Sequence, residues 1–278
     1  MKTIKEFLRY YNSRVHEGLL PESNDLETDI ISKRITVNSP GSIKTKGTKI
    51  IIDTKEVFST QNYNVHVKLE NLKEDALRKI LKNLIIKNSN NILFNNCELT
   101  DNMIADLNKI KNIQDIIIYN CNSLKSVSGM NNKGSVWIKD CSSLESVSGM
   151  TNKGGVEIYN CSSLESVYNM NNKGGVWIDS CSSLESVYNI NNKGGVRIKD
   201  CNSLKSISDM NNKGEVRIKD CSSLESVSGM NNKGGACIDD CNSLKSVSDM
   251  NNKGVWIKDC SYLKSVYGMN IDGWVRIK

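Results

Sequence analysis

Ten cysteines and two histidines are the residues of this 278-residue chain best suited to nucleophilic or metal chemistry. Cys121, Cys141, Cys161, Cys181, Cys201, Cys221 and Cys241 recur every 20 residues, and Cys260 follows after 19. A cysteine nucleophile needs a histidine within hydrogen-bond reach. Both histidines, His16 and His66, precede the regular array; His16 is expected on the solvent side of a helix and His66 facing outward on a strand. Zinc sites favour closely spaced pairs such as C-x-x-C, and none occurs. Cys237 and Cys241 are four apart, but they fall on opposite faces of the expected strand. There is no phosphate-binding G-x-x-x-x-G-K-[ST] loop and no G-x-S-x-G nucleophile elbow. Asn120, Asp140, Asn160, Ser180, Asp200, Asp220, Asp240 and Asp259 immediately precede the repeat cysteines. Stacked carboxylates there could share a calcium ion; the plainer reading is that short polar side chains satisfy backbone amides at a strand exit. The expectation is no enzyme, no catalytic residue, no metal and no cofactor.

Another row carries recognition chemistry. One residue per repeat runs Trp137, Glu157, Trp177, Arg197, Arg217, Cys237, Trp256, Arg276, and the residue two further on runs Lys139, Tyr159, Asp179, Lys199, Lys219, Asp239, Lys258, Lys278. Three of the four tryptophans lie here. Exposed Trp, Tyr and Arg are the types enriched at binding hot spots. Trp137, Glu157, Tyr159, Trp177, Arg197, Lys199, Arg217, Lys219, Trp256 and Arg276 are therefore the candidate binding residues. The plainer account is cross-strand packing of aromatics, with cation–π contacts to neighbouring Lys and Arg.

The elements that hold this row follow from one repeat, GSVWIKDCSSLESVSGMNNK, Gly134 to Lys153. Val136-Trp137-Ile138 alternates as a strand does. Cys141, Leu144, Val147 and Met150 step by three, which suits a tight, irregular or 3₁₀-like return path. Asn131-Asn132-Lys133-Gly134 reads as a turn, with glycine free to take positive φ. One repeat cannot bury its apolar row, but stacked copies share a continuous core. The product is a solenoid with a parallel β-sheet on one face.

The pattern resembles the leucine-rich repeats, whose signature is L-x-x-L-x-L-x-x-N/C-x-L. Ile113-Gln114-Asp115-Ile116-Ile117-Ile118-Tyr119-Asn120-Cys121 matches its first nine positions, and Ile92-Leu93-Phe94-Asn95-Asn96-Cys97-Glu98-Leu99 the remainder. The short repeats depart from this signature twice: they read C-x-x-L, as in cysteine-type members, and they carry Lys133 where the first leucine belongs. The resemblance implies an α/β to mainly-β solenoid with one parallel sheet face, short helices only in the N-terminal long repeats, and binding on the out-facing sheet positions. A plain parallel β-helix is the alternative fold.

Three regions are expected. Residues 1–62 form an N-terminal cap or docking region, with a helix from Thr3 to about His16 and strand-like runs at Ile35-Thr36-Val37 and Lys49–Ile52. Within it, His16-Glu17-Gly18-Leu19-Leu20 resembles N-termini of large gut-bacteriophage proteins. Residues 63–120 hold longer units, with helices at about Glu74 to Asn83 and after Leu99-Thr100-Asp101. Residues 121–278 are the tandem 20-residue array, ending in a strand without a capping element, an edge at which self-association is expected.

Composition narrows the function classes. The net charge is +6, short of the dense positive field of a dedicated nucleic-acid binder. No apolar run approaches the roughly 18 residues of a membrane span. The charged opening, MKTIKEFLRYYNSRVHEGLL, lacks the apolar stretch of an export signal. With so many unpaired cysteines, this points to a reducing, cytoplasmic setting. The expected role is a non-catalytic recognition scaffold for a protein partner. Alternatives are a glycan-binding adhesin or receptor-binding protein, phage-encoded or not, and a structural spacer.

Overall fold

The computed structural model describes the backbone of residues 25–29, 34–38, 41–46, 49–54, 67–86 and 90–278, and side chains over 69–84 and 91–278. The helix expected at Thr3–His16 and both histidines lie outside the described residues. The protein is a parallel β-solenoid of stacked repeats. A 13-stranded sheet runs its length, and an eight-stranded sheet backs most of the short-repeat array. The long sheet begins with Asp25–Asp29 antiparallel to Arg34–Asn38, which is antiparallel to Val67–Glu70. From Val67–Glu70 to Trp274–Ile277 every pairing is parallel. A third sheet joins the hairpin Gly41–Lys46/Lys49–Thr54 to Leu84–Ile86.

Two helices belong to the longer units, α1 (Glu74–Asn83) and α2 (Asp101–Leu107). Each buries one apolar stripe: Leu77, Ile80 and Leu81 from α1, Met103, Ile104 and Leu107 from α2. Neither is capped by its own N-cap side chain. Thr100, which precedes α2 as the sequence suggests, leaves its Oγ1 buried without a partner. The N-terminus of α1 is held from the next unit instead: Glu98 accepts the Glu74 amide at 3.2 Å and ion-pairs with Lys73.

The return path differs from the irregular one expected. It is a second parallel sheet, with Ser146–Ser148 pairing Ser126–Ser128 on one side and Ser166–Met170 on the other. The three-residue step has a different origin from a 3₁₀ helix. Ser146, Val147 and Ser148 alternate as a strand, and only Val147 is buried. Gly149 then turns the chain with φ +63°, so Met150 points back inside. The one-residue corner converts a period of two into an apparent three.

Each turn has two such corners. The residue before each cysteine, Asn120 to Asp259, takes φ between 50° and 56°, and the residue before each Met150-type position takes 53° to 67°. The second row reads Gly129, Gly149, Asn169, Asn189, Asp209, Gly229, Asp249, Gly268. Gly, Asn and Asp interchange there because they tolerate the left-handed region best. The Lys-Gly turn works otherwise. Gly154 does not take positive φ; a Cβ on it would lie 2.4 Å from the Ser135 amide nitrogen. Glycine at this row permits close approach between successive turns.

The core is one column of repeating side chains. Val156, Ile158, Cys161, Leu164, Val167 and Met170 are wholly buried, and every neighbouring turn repeats the set. A ladder runs through this core that reading Asn-Asn-Lys-Gly as a turn missed. Asn132, Asn152, Asn172, Asn192, Asn212, Asn232 and Asn252 are buried. Asn172 Nδ2 donates to the carbonyls of Gly154, Gly174 and Gly175 at 3.2, 3.0 and 3.1 Å. Further along, the amide oxygens accept instead: Asn232 Oδ1 from the Asn212 amide at 3.2 Å, Asn252 Oδ1 from Asn232 at 2.9 Å. A sequence signal existed: Thr151 replaces the first asparagine of its pair, while the second is kept in seven successive copies, from Asn132 to Asn252, and gives way to Ile271 only in the last.

The junction between long and short units is built from carboxylates. In the array, Glu145 and Ser146 donate their amides to the Lys125 carbonyl. Lys125 and Ser126 have no preceding short turn, and Asp101 Oδ1 takes both amides at 3.1 and 2.9 Å. Asp115 does the same for Ser135 at 2.7 Å; burial raises its carboxyl pKa above the ordinary value.

Candidate functional site

Parallel pairing in strict register converts the sequence rows into physical rows. Ile117, Trp137, Glu157, Trp177, Arg197, Arg217, Cys237, Trp256 and Arg276 are consecutive cross-strand partners. Tyr119, Lys139, Tyr159, Asp179, Lys199, Lys219, Asp239 and Lys258 form the next row. From Ile117 to Trp256 the apolar residues on either side of each middle residue point into the core, whereas Val275 and Ile277 beside Arg276 are exposed. The middle residue therefore stands on the outer face, as strand alternation requires.

The ten candidate residues divide into two patches and an outlier. Trp137, Glu157 and Tyr159 line an open groove of about 500 Å³ together with Leu93, Ile117, Tyr119 and Lys139. Its floor and walls are apolar or aromatic except for one carboxylate and one ammonium. Tyr159 Oη donates to Glu157 Oε2 at 3.3 Å. Desolvation, with the Glu157 charge beside it, pushes the Tyr159 phenol up to about 12. Lys139 Nζ lies 5.8 Å from the Tyr119 ring centre, within cation–π reach. Leu93, Ile117 and Tyr119 were missed in the sequence because they sit in the longer units. The signal was the out-facing middle residue of Ile92-Leu93-Phe94 and Ile116-Ile117-Ile118.

The second patch is cationic. Arg197 and Arg217 are cross-strand neighbours, as are Lys199 and Lys219. Most of this charge is already paired: Lys199 with Asp200 at 2.7 Å, Arg217 with Glu215 at 3.0 Å, Lys219 with Asp240 at 3.0 Å and Asp239 at 3.3 Å. Arg197 is exposed and has no carboxylate within ion-pair distance among the described residues. Trp177 stands between the patches, 47% exposed.

Trp256 and Arg276 form the outlier. Arg276 lies over the Trp256 ring at 5.9 Å, and the indole N–H is buried without a partner. Trp256 is thus packed under its neighbour, while Trp177 is open. The fourth tryptophan, Trp274, covers Gly254, where a Cβ would come within 2.7 Å of the indole.

The carboxylate row gives no free ligand set. Asp239, Asp240 and Asp259 bring one oxygen each within 4.8 Å of one another. Lys219 and Lys258 already sit among them, Lys258 Nζ at 3.4 Å from Asp239 and 2.7 Å from Asp259. Hydrogen bonding to Lys219 holds the Asp240 carboxyl below its ordinary range. The corner side chains pair along the flank, as Asn160 Nδ2 does with Asp140 Oδ1 at 2.6 Å, in place of the expected bonds to backbone amides.

The ten cysteines are free. The array thiols are buried and point to the carbonyl two residues back, as Cys201 Sγ does to Lys199 at 3.3 Å. Burial pushes the Cys97 thiol up to about 11 and that of Cys201 to about 12, far from the thiolate a nucleophile requires. Cys237 alone is half exposed, on the candidate face between Arg217 and Trp256.

Fold and face together define a parallel β-solenoid with tandem 20-residue repeats and a patterned outer sheet. Comparison with protein-family models, curated proteins and solved structures found no match to this chain. Among the described residues no helix is long and apolar enough to cross a membrane.

Proposed function

We propose that this protein is a non-catalytic recognition scaffold of leucine-rich-repeat type, binding a protein partner through the exposed face of its long sheet. The observation that carries this reading is the groove of Leu93, Ile117, Tyr119, Trp137, Lys139, Glu157 and Tyr159. Apolar surface left open among aromatic side chains on a rigid sheet is characteristic of contact sites. The scaffold is preorganised by the core column and the asparagine ladder, so binding orders little that was free. The longer units support the family reading: Ile92, Phe94, Cys97 and Leu99 of one, and Ile113, Ile116, Ile118 and Cys121 of the next, are all buried. Free, buried thiols support a reducing setting, and the raised values of Cys97 and Cys201 support a role without thiol catalysis.

The test is affinity capture with intact protein and with the Trp137→Ala, Trp177→Ala, Trp256→Ala triple variant, at low and high salt. Circular dichroism must first show both folded. A protein retained by the first bait and lost by the second is the expected result. Equal capture by both baits, or capture of glycan alone, would overturn it.

A further inference from the structure

The outer face is asymmetric in a way that constrains its occupant. Its N-terminal part is the apolar groove centred on Trp137. Three strands further along stands Arg197 and four strands along Arg217. At about 4.8 Å per strand, these lie roughly 14 and 19 Å from the groove. Beside this row run Gly155, Gly175 and Gly195, which carry no side chains of their own; the row then reaches Glu215, whose carboxylate pairs with Arg217 at 3.0 Å. Asp179 is hydrogen-bonded to Ser180 at 2.8 Å, and the lysines are paired with their own aspartates. Among the described residues Arg197 has no carboxylate within ion-pair distance, and Arg217 is held only by Glu215, in an exposed pair that contributes little.

Building on the sheet-face reading, we infer that the occupant is an extended acidic peptide segment of the partner. One large apolar side chain fills the Trp137 groove, a carboxylate about four residues along meets Arg197, and one about six along takes the place of Glu215 on the exposed Arg217. An extended chain turns alternate side chains to one face and advances about 6.8 Å per pair of residues. Positions four and six residues away then fall at roughly 14 and 20 Å, matching the two arginines. A guanidinium meets a carboxylate through two parallel hydrogen bonds, which fixes register as well as charge. The opposite polarity, a basic segment, would place its cations against Arg197. A nucleic-acid strand, charged at every residue, would have to displace Asp200, Asp239 and Asp240 from the lysines as well.

The probe is a random twelve-residue peptide library displayed on phage and panned against the full chain. Enriched sequences should carry one aromatic or large aliphatic residue with Asp or Glu about four and six positions away. Replacing both acids by Lys should weaken a synthetic copy about tenfold or more. Arg197→Glu should restore affinity to a copy with Lys at the first acidic position. That reversal does not depend on stability, and circular dichroism confirms that the variant is folded. Enriched peptides that need Trp137 but carry no acids, or carry bases, would overturn the acidic occupant and leave the sheet-face reading standing. Peptides indifferent to both Trp137→Ala and Arg197→Glu would overturn both. Failure of any peptide to enrich would overturn the linear occupant, leaving the capture experiment to judge the face.

Discussion

Asn172→Ala should loosen the middle of the solenoid by about 1.5–2 kcal/mol, a figure that follows from counting the bonds lost at the net value of each. Asn172 has two amide hydrogens shared among three carbonyls within 3.2 Å. At about 1 kcal/mol net per hydrogen bond, losing both costs about 2 kcal/mol. No carbonyl is fully orphaned, because each keeps a backbone donor: Gly174 to Gly154, Gly194 to Gly174, and Val156 to Gly175. Removing the unpartnered Asn172 Oδ1 returns part of the loss. Asn172→Asp should be worse, since a carboxylate would face three carbonyl oxygens. Stacked repeats do not unfold in one step, so a global midpoint is the wrong measure. Native-state hydrogen exchange at the Gly174 and Gly194 amides is the right one. Protection there should fall about 10- to 30-fold, at 1.4 kcal/mol per tenfold. The exposed neighbour Asn171→Ala should change it less than about twofold. A loss below twofold for Asn172→Ala, or an equal loss for both variants, would refute the ladder's role.

Under native conditions a maleimide reagent should modify Cys237 and leave the nine buried cysteines intact, with all ten reacting in guanidinium, as counted by mass spectrometry; fast labelling of any array cysteine would contradict the packing. Asn169→Gly should be neutral or slightly stabilising and Asn169→Val should cost about 1–2 kcal/mol by hydrogen exchange, because Asn169 holds φ +54°; equal effects would show that this corner is not constrained. Asp101→Ala should fray the first short turn, read as faster exchange at the Lys125 and Ser126 amides with that of Glu145 unchanged, since only the former two rely on its carboxylate. The Asp240 carboxyl should titrate below its ordinary 3.8 by NMR and return upward in Lys219→Ala. Its folded pKa is depressed, so the pair's attraction is present above pH 3.8 and is lost as pH falls through the lower folded value.

The solenoid was legible because its core residues repeat at a fixed interval, and burial of Val156, Ile158, Cys161, Leu164, Val167 and Met170 follows from type alone. The second sheet was not, because the left-handed corner at Gly149 hides the strand period behind a step of three. Nor was the asparagine ladder. A polar residue beside lysine and glycine reads as turn chemistry, and only its retention from Asn132 to Asn252, beside the variable Thr151, marks it as buried. At the face, the sequence placed Trp137, Glu157 and Tyr159 in one row, and parallel register brings them together. It could not show that Arg276 packs over Trp256, nor that lysine–aspartate pairs consume most of the positive charge. Those depend on side-chain reach across turns, which spacing does not encode.

Division of labour within each repeat explains why the face can vary while the fold does not. The determinants of the turn lie inside or at corners: six apolar side chains, the ladder asparagine, the tight glycine and two left-handed residues. None of them is the residue at Trp137, Glu157, Trp177, Arg197 or Arg217. Replacing an out-facing residue therefore leaves the hydrogen bonds to both neighbouring turns intact. In a stacked array each turn's stability comes from itself and its neighbours, so such a change stays local. A Trp-to-Arg exchange at this row alters what the surface attracts at little cost in stability. The outer row can thus be rewritten one turn at a time, and under the proposed recognition role the order of aromatic and basic turns along the axis is where specificity for a partner would be set.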